Sequence, residues 1–140
     1  PEIFTYPASP HLASRIDNRE IDFEKIKNAT ELLSERSDAV LLEGAGGLMV
    51  PLTDDYLTID YIKAMGYPLI FVTSGKLGSI NHTLLSMEAI LNRGIQLHTV
   101  AYNLFPKSED TIIKDDTEKY IRNYIHKYFP ESDFVRIPVL

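Results

Sequence analysis

The chain has 140 residues, a formal net charge of −6, 44% hydrophobic residues and no cysteine. This length fits one domain with a substantial core, and the composition is that of an ordinary globular protein. The acidic balance, without a basic cluster, argues against nucleic acid as the main partner. The lack of cysteine excludes disulfides and thiolate metal sites, and no apolar run has the length of a membrane span.

Helical and strand patterns alternate along the chain. Ser9 can cap a helix that begins at Pro10, since proline is accepted in the first turn of a helix. Apolar residues at helical spacing predict further helices over residues 22–36, 57–65, 79–93 and 111–129. Short apolar runs predict strands over residues 39–42, 68–73, 97–102 and 133–137.

This alternation predicts an α/β fold with a three-layer, doubly wound, mainly parallel sheet. No internal repeat and no low-complexity segment interrupts the pattern. The apolar positions of the last helix give its expected inward face, which consists of Ile113, Tyr120, Ile121, Tyr124, Ile125 and Tyr128.

The first predicted strand ends in an acid, Glu43, which three glycines follow within four residues. The carboxyl end of a strand in a parallel sheet borders the ligand crevice, so Glu43 is expected to face a ligand. Its carboxylate could hold Mg²⁺, while Gly46 and Gly47 could let a ligand approach the backbone or aim N–H groups at an anion. The alternative is a buried acid that pairs with a local lysine while the glycines form a turn.

The segment Lys76–His82 opens a helix after the second predicted strand. The first N–H groups of a helix have no partner within it, and its amino end is electropositive. The N–H groups of Ser79, Ile80 and Asn81 could therefore bind a carboxylate or a phosphate. The alternative is an ordinary capped helix start.

Asn103 follows the third predicted strand. Its amide can donate and accept hydrogen bonds in one plane, which matches the edge of an adenine base. The alternative is a turn-forming asparagine ahead of Phe105-Pro106. Because the carboxyl ends of parallel strands share one edge of a sheet, the loops 43–47, 73–79 and 103–106 are expected to converge.

Four segments together resemble the dethiobiotin synthetase family, whose fold is P-loop NTPase-like. They are Ser9-Pro10-His11, Val40–Gly47 with Pro51-Leu52, Lys76–His82, and Asn103 with the later Ile137-Pro138. The resemblance implies an ATP- and Mg²⁺-dependent ligase of biotin synthesis, which closes a ureido ring on 7,8-diaminopelargonic acid with CO₂ and releases ADP and phosphate. It also implies a cytoplasmic homodimer with the site at its interface.

The resemblance assigns nucleotide and metal roles to four residues. Glu43 matches the metal-binding glutamate of the family, and Gly46 matches a position beside the nucleotide. Asn103 and Pro138 match the residues around adenine.

Six further residues match positions at the substrate. Ser9 and Gly47 lie at positions near the diamine in the family. The others match the helix start that receives the substrate carboxylate across the dimer interface, and they are Gly78, Ser79, Ile80 and Asn81. No catalytic side chain is assigned.

The family's phosphate-binding loop does not occur in this chain, which contains no G-x-x-x-x-G-K-[ST] pattern. Residues 1–140 are therefore interpreted as a single α/β domain portion, the C-terminal part of the enzyme, and the isolated chain is predicted to be inactive. Two alternatives remain. One is a non-catalytic regulatory or dimerisation module that kept the fold. The other is a synthetase domain of the cobyrinic-acid type of amidotransferase, against which Ser9-Pro10-His11 and Lys76–His82 speak.

Overall fold

The computed structural model describes residues 2–105 and 110–139. The chain divides into two compact units, Pro1–Tyr61 and Ile62–Leu140. Among the described residues, no helix combines the length and the apolar character that a membrane crossing requires.

The first unit contains α1 (Pro10–Ile16), α2 (Phe23–Ser34) and the start of α3 (Thr58–Met65). Asp22 caps α2, because its side chain accepts a hydrogen bond from the N–H of Lys25 over 2.8 Å. Phe23 stacks on Tyr61, with ring centroids 5.7 Å apart. The buried side chains of this unit form a small core of Ala13, Thr58, Ile59 and Tyr61.

The second unit is a parallel three-stranded sheet with two crossover helices. Its elements are β1 (Leu69–Ser74), α4 (Ser79–Arg93), β2 (Leu97–Asn103), α5 (Thr111–Tyr128) and β3 (Asp133–Ile137). The strands pair in the order β1-β2-β3, and both pairs are parallel. The predicted α/β class with a parallel sheet is confirmed.

Both crossover helices lie on one face of the sheet. Thr73, Tyr102 and Arg136 are register partners on the three strands and therefore share a face. Thr73 forms a buried hydroxyl–hydroxyl hydrogen bond of 2.5 Å with Thr83 of α4, and Arg136 donates one to Glu118 of α5. Right-handed crossovers that advance in one direction across a sheet place their helices in this way.

The inward face of α5 differs in part from the face expected from its apolar residues. Ile121 and Ile125 are buried as expected, but Ile113, Tyr120 and Tyr128 are exposed. Thr117 and Glu118 are buried in their place. The helix can bury Glu118 because two arginines donate hydrogen bonds to its carboxylate, which offsets the cost of removing the charge from water.

The strand expected over residues 39–42 is wrong, because residues 39–44 carry no regular secondary structure. A strand needs a neighbour to accept its backbone hydrogen bonds, and this segment pairs with none of the three described strands. Leu41 is 83% exposed, so the apolar run is not a buried strand in the described structure.

Candidate functional site

The glycine-rich loop of the first unit, residues 43–50, is hydrogen-bonded to the start of α3. The N–H of Thr58 donates to the carbonyl of Val50 over 2.9 Å, and the N–H of Ile59 donates to the carbonyl of Leu48 over 2.9 Å. The hydroxyl of Thr58 also donates to the Val50 carbonyl. The loop carbonyls thus satisfy helix N–H groups that otherwise lack partners, and this end of α3 is not open to an anion.

Two glycines of this loop have different reasons to lack a side chain. Gly46 has φ of +91°, and a Cβ there would lie 2.9 Å from Cγ2 of Val50. The turn itself therefore requires glycine at this position. A Cβ on Gly47 would meet nothing within 4 Å. Local packing therefore does not require glycine at 47, and the close approach of a ligand there stays a prediction.

Glu43 is exposed and has no ion-pair or hydrogen-bond partner in the part of the chain that the structure describes. The alternative of a buried acid paired with a lysine is therefore wrong. No group of three or more His, Cys, Asp or Glu residues that could hold a metal ion occurs among the described residues. One free carboxylate fits a single ligand of Mg²⁺, which commonly keeps water and takes its other oxygens from phosphate.

The segment that begins α1 lies against the glycine-rich loop within the first unit. The N–H of His11 donates to the carbonyl of Pro51 over 3.4 Å, and His11 Nδ1 is buried without a hydrogen-bond partner. Ser9 occupies the N-cap position as predicted, but its side chain makes no capping hydrogen bond. The Ser9 hydroxyl thus remains available to a ligand.

The start of α4 offers fewer free N–H donors than the sequence predicted. Gly78 precedes the helix in the left-handed conformation, with φ of +89°, and no side chain caps the helix. The N–H of Ser79 donates to the Lys76 carbonyl over 2.9 Å, and its hydroxyl donates to the Ser74 carbonyl over 2.6 Å. Both donors of Ser79 are therefore already used within the chain. The alternative of an ordinary side-chain cap is wrong.

The donors that remain at this helix start are the N–H groups of Ile80 and Asn81. Neither has an acceptor among the described residues. Two adjacent N–H groups at the positive end of a helix dipole can bind one carboxylate or phosphate. The helix has fifteen residues, so its dipole is fully developed.

Asn103 lies at the same carboxyl end of the parallel strands, beside the end of β3. It pairs with Ser74 on one side and with Ile137 on the other, which places Pro138 next in the chain. Its Oδ1 accepts a hydrogen bond from the N–H of Phe105 over 2.9 Å. The turn-forming interpretation is therefore right about Oδ1, while Nδ2 has no hydrogen-bond acceptor in the described part of the chain.

The loops at 73–79 and 103–105 thus share one edge, as expected for parallel strands. Pro106, the last residue of the predicted loop 103–106, lies outside the described residues. Glu43, Gly46, Gly47 and Ser9 belong to the first unit. Their convergence with the loops of the second unit stays a prediction.

Tyr102 is a residue of this edge that the sequence reasoning missed. Its side chain is fully buried at 0% exposure, and its hydroxyl has no hydrogen-bond partner within residues 2–105 and 110–139. Burial and the negative charge of Glu118 raise the pKa of this hydroxyl above its usual value. No sequence signal points to Tyr102, because only the fold brings it so close to Gly75 that a Cβ there would lie 2.5 Å from the hydroxyl oxygen.

The chain matches the sequence model of a known family. The sequence model of a family described as an AAA domain matches residues 1–140. The chain belongs to this family. The match is consistent with the predicted α/β fold. The resemblance to dethiobiotin synthetases, predicted from four segments, is confirmed by curated relatives.

Curated relatives carry the name ATP-dependent dethiobiotin synthetase. The chain is 48% identical over 134 residues to BioD 2 of Pasteurella multocida, which covers 96% of this chain and 62% of that protein. It is 54% identical over 114 residues to BioD 2 of Haemophilus influenzae, with 81% and 60% covered. BioD of Chlorobaculum tepidum is 48% identical over 118 residues, with 84% and 49% covered. The chain therefore spans between about half and two thirds of the length of these AAA-domain relatives.

Proposed function

We propose that the whole protein to which this chain belongs is an ATP-dependent dethiobiotin synthetase of biotin biosynthesis. It would close the ureido ring of dethiobiotin from 7,8-diaminopelargonic acid and CO₂. The observation that carries the proposal is the pair of unoccupied N–H donors at the start of α4, beside Asn103 on the same sheet edge. The name of the relatives, ATP-dependent dethiobiotin synthetase, supports it.

The start of α4 suits the substrate's carboxylate. The N–H groups of Ile80 and Asn81 would donate to its two oxygens, and the helix dipole would add a favourable charge interaction. Gly78 holds the turn that exposes these groups, and Ser79 fixes the turn through its bond to Ser74. Ser79 thus supports the site and is not itself a donor to the ligand.

The nucleotide would lie at the adjacent strand ends. When bound, ATP supplies the phosphoryl group that activates a carbamate of the diamine for ring closure. Nδ2 of Asn103 would donate to an acceptor on the adenine edge, and Pro138 would contact the base. Fixation of Oδ1 by the N–H of Phe105 keeps the amide in one orientation for this task.

The first unit would contribute the metal and diamine contacts. Glu43 would be one oxygen ligand of Mg²⁺, with Gly46 shaping the turn that follows it and Gly47 leaving room for the ligand. The uncommitted hydroxyl of Ser9 would hydrogen-bond the diamine. A homodimer with a shared site would complete the arrangement.

Phosphate release by the whole protein tests the proposal. We expect release that requires ATP, Mg²⁺, CO₂ and 7,8-diaminopelargonic acid together, with dethiobiotin as the product detected by mass spectrometry. Asn81→Pro, which removes one of the two donor N–H groups in the first turn of α4, where proline is tolerated, should raise the KM for the diamine by about tenfold, as expected for one lost hydrogen bond to a charged group. Asn81→Ala, which removes the exposed side chain but keeps the backbone N–H of residue 81, is the matched control and should leave KM unchanged.

Two outcomes would contradict the proposal. Binding of the diamine without turnover by the whole protein would favour the non-catalytic module, and turnover of a corrinoid acid would favour the amidotransferase type. The 140-residue chain alone should bind ATP weakly and release no phosphate. Turnover by the isolated chain would show that the residues described as supporting contacts are sufficient for catalysis.

A further inference from the structure

The contact between Tyr102 and Gly75 lies directly below the loop that presents the anion site. Tyr102 sits in the middle strand of the sheet, fully buried, and its ring packs 5.6 Å from the ring of Phe134. Its position is therefore set by the core. Gly75 is the first residue after β1, and it rests against the end of the tyrosine side chain.

A side chain at 75 would collide with the hydroxyl group and not with the ring of Tyr102. A Cβ on Gly75 would lie 2.5 Å from the hydroxyl oxygen, but 3.4 Å from Cζ, the next atom of the ring. The first distance is a clash, and the second is an ordinary van der Waals contact. The tyrosine hydroxyl thus determines how closely the backbone at 75 can approach the sheet.

The same hydroxyl is costly to bury as it stands. It has no hydrogen-bond partner among the described residues, and a buried donor without a partner destabilises a fold. A phenylalanine would fill the core at this position without that cost. We therefore expect the hydroxyl to have a role other than core packing.

The position of Gly75 affects the start of α4, because hydrogen bonds connect the residues around it to the first turn of the helix. Ser74 is held in the sheet by Asn103, and its carbonyl accepts the hydroxyl hydrogen bond of Ser79. Ser79 also closes a turn with Lys76. A displacement of Gly75 would thus move the first turn of α4, including the free N–H groups of Ile80 and Asn81.

We propose that Tyr102 is a positioning residue for the anion site at the start of α4, with its hydroxyl acting as the support on which Gly75 rests. Removing the hydroxyl leaves a gap under the loop, and adding a methyl group at 75 lifts the loop from the sheet. In both cases the two donors lose their alignment. The inference deepens the proposed function, on which its substrate readout rests.

A double-mutant cycle tests the contact. Gly75→Ala in the whole protein should raise the KM for 7,8-diaminopelargonic acid by about tenfold or more, since small misplacements of binding groups cost this much. Tyr102→Phe should raise it less. Gly75→Ala combined with Tyr102→Phe should bring KM back to the level of Tyr102→Phe alone, because the methyl group then meets Cζ at an ordinary distance.

Amide hydrogen exchange provides a readout that does not depend on the substrate. Peptides covering residues 75–81 should exchange faster in Gly75→Ala, and the double variant should restore the original rate. Tyr120→Phe, which removes an exposed hydroxyl from α5, is the matched control and should change neither exchange nor KM. Urea denaturation of each variant separates a local change from loss of the fold.

The proposal would be overturned if Gly75→Ala changed hydrogen exchange and KM by the same amount in the original protein and in the Tyr102→Phe variant. If the whole protein does not turn over the diamine at all, the proposed function fails. The exchange measurement would still decide whether Tyr102 supports the loop.

Discussion

Arg136 of β3 donates a hydrogen bond from Nε to Oε1 of Glu118 of α5 over 2.7 Å. The same oxygen accepts a second hydrogen bond, over 3.0 Å, from Arg122 one helical turn further along. The Glu118 side chain is 7% exposed, while both arginines reach solvent. Arg122 also lies over the ring of Phe134, 4.1 Å from its centroid. This cluster attaches α5 to the face of the sheet on which Tyr102 lies.

Glu118→Gln should destabilise the protein at neutral pH. Charged hydrogen bonds of this kind contribute about 1–3 kcal/mol, and the variant keeps the size of the side chain while losing the charge. Urea denaturation at pH 7 measures the change in the free energy of unfolding. Glu131→Gln, an exposed acid in the turn before β3, is the control and should have little effect.

The same variant should remove part of the pH dependence of stability. Burial raises the pKa of Glu118, but the hydrogen bonds from Arg136 and Arg122 outweigh it, so the pKa lies below the ordinary 4.5. A lowered folded-state pKa stabilises above the unfolded pKa, and this contribution is lost as pH falls through the folded pKa. The difference between the original protein and Glu118→Gln should therefore shrink below about pH 4.5. A constant difference between pH 7 and pH 3 would contradict this.

Alanine at the two glycines of the first-unit loop should separate folding from binding. Gly46→Ala should cost about 1–2 kcal/mol of stability, because of its positive φ, with a further cost from contact with Val50. Gly47→Ala has open space and should leave the free energy of unfolding unchanged. In the whole protein Gly47→Ala should nevertheless weaken ligand binding, which isothermal titration measures. Equal binding by the Gly47 variant would remove Gly47 from the site.

The hydroxyls of Thr73 and Thr83 should show strong coupling. Each is buried, and their oxygen atoms are 2.5 Å apart. Thr83→Val leaves the Thr73 hydroxyl without a partner and should cost about 1–3 kcal/mol. The double variant, with valine at both positions, should cost less than the sum of the single variants, since no polar group is then left unpaired. Additive costs in urea denaturation would mean that the two hydroxyls do not depend on each other.

Asn103→Asp should distinguish the two hydrogen-bonding roles of this side chain. The carboxylate keeps an acceptor for the N–H of Phe105, so the turn and the stability should be preserved. It lacks the Nδ2 donor and adds a negative charge near the nucleotide. The KM of the whole protein for ATP should rise about tenfold or more, with the KM for the diamine little changed. An unchanged KM for ATP would place the adenine elsewhere.

The sequence predicted the second unit well because its elements are specified locally. The apolar runs of β1, β2 and β3 and the helical periodicity of α4 and α5 lie within single segments. The predicted strand at residues 39–42 failed for the opposite reason. A strand depends on a neighbour supplied by another part of a sheet, and no local pattern reports whether that neighbour is present.

The candidate site divides in the same way. The helix start of α4 and the turn at Asn103 follow from residue types in a short stretch. The engagement of Ser79 with Ser74 could not be predicted, because it depends on the path that Gly78 imposes on the loop. The contact between Gly75 and Tyr102 joins residues from different strands, and only the folded sheet brings them together.

The sheet face opposite α4 and α5 has a practical consequence. It carries four exposed apolar side chains, Ile70, Val72, Val135 and Ile137, of which Val72 and Val135 align through Ala101 of β2. β1 also forms one edge of the sheet in the described residues, with backbone groups free for pairing on its outer side. Chains that meet in solution can adhere through this surface. Light scattering from the 140-residue chain should therefore rise with protein concentration and with sulfate.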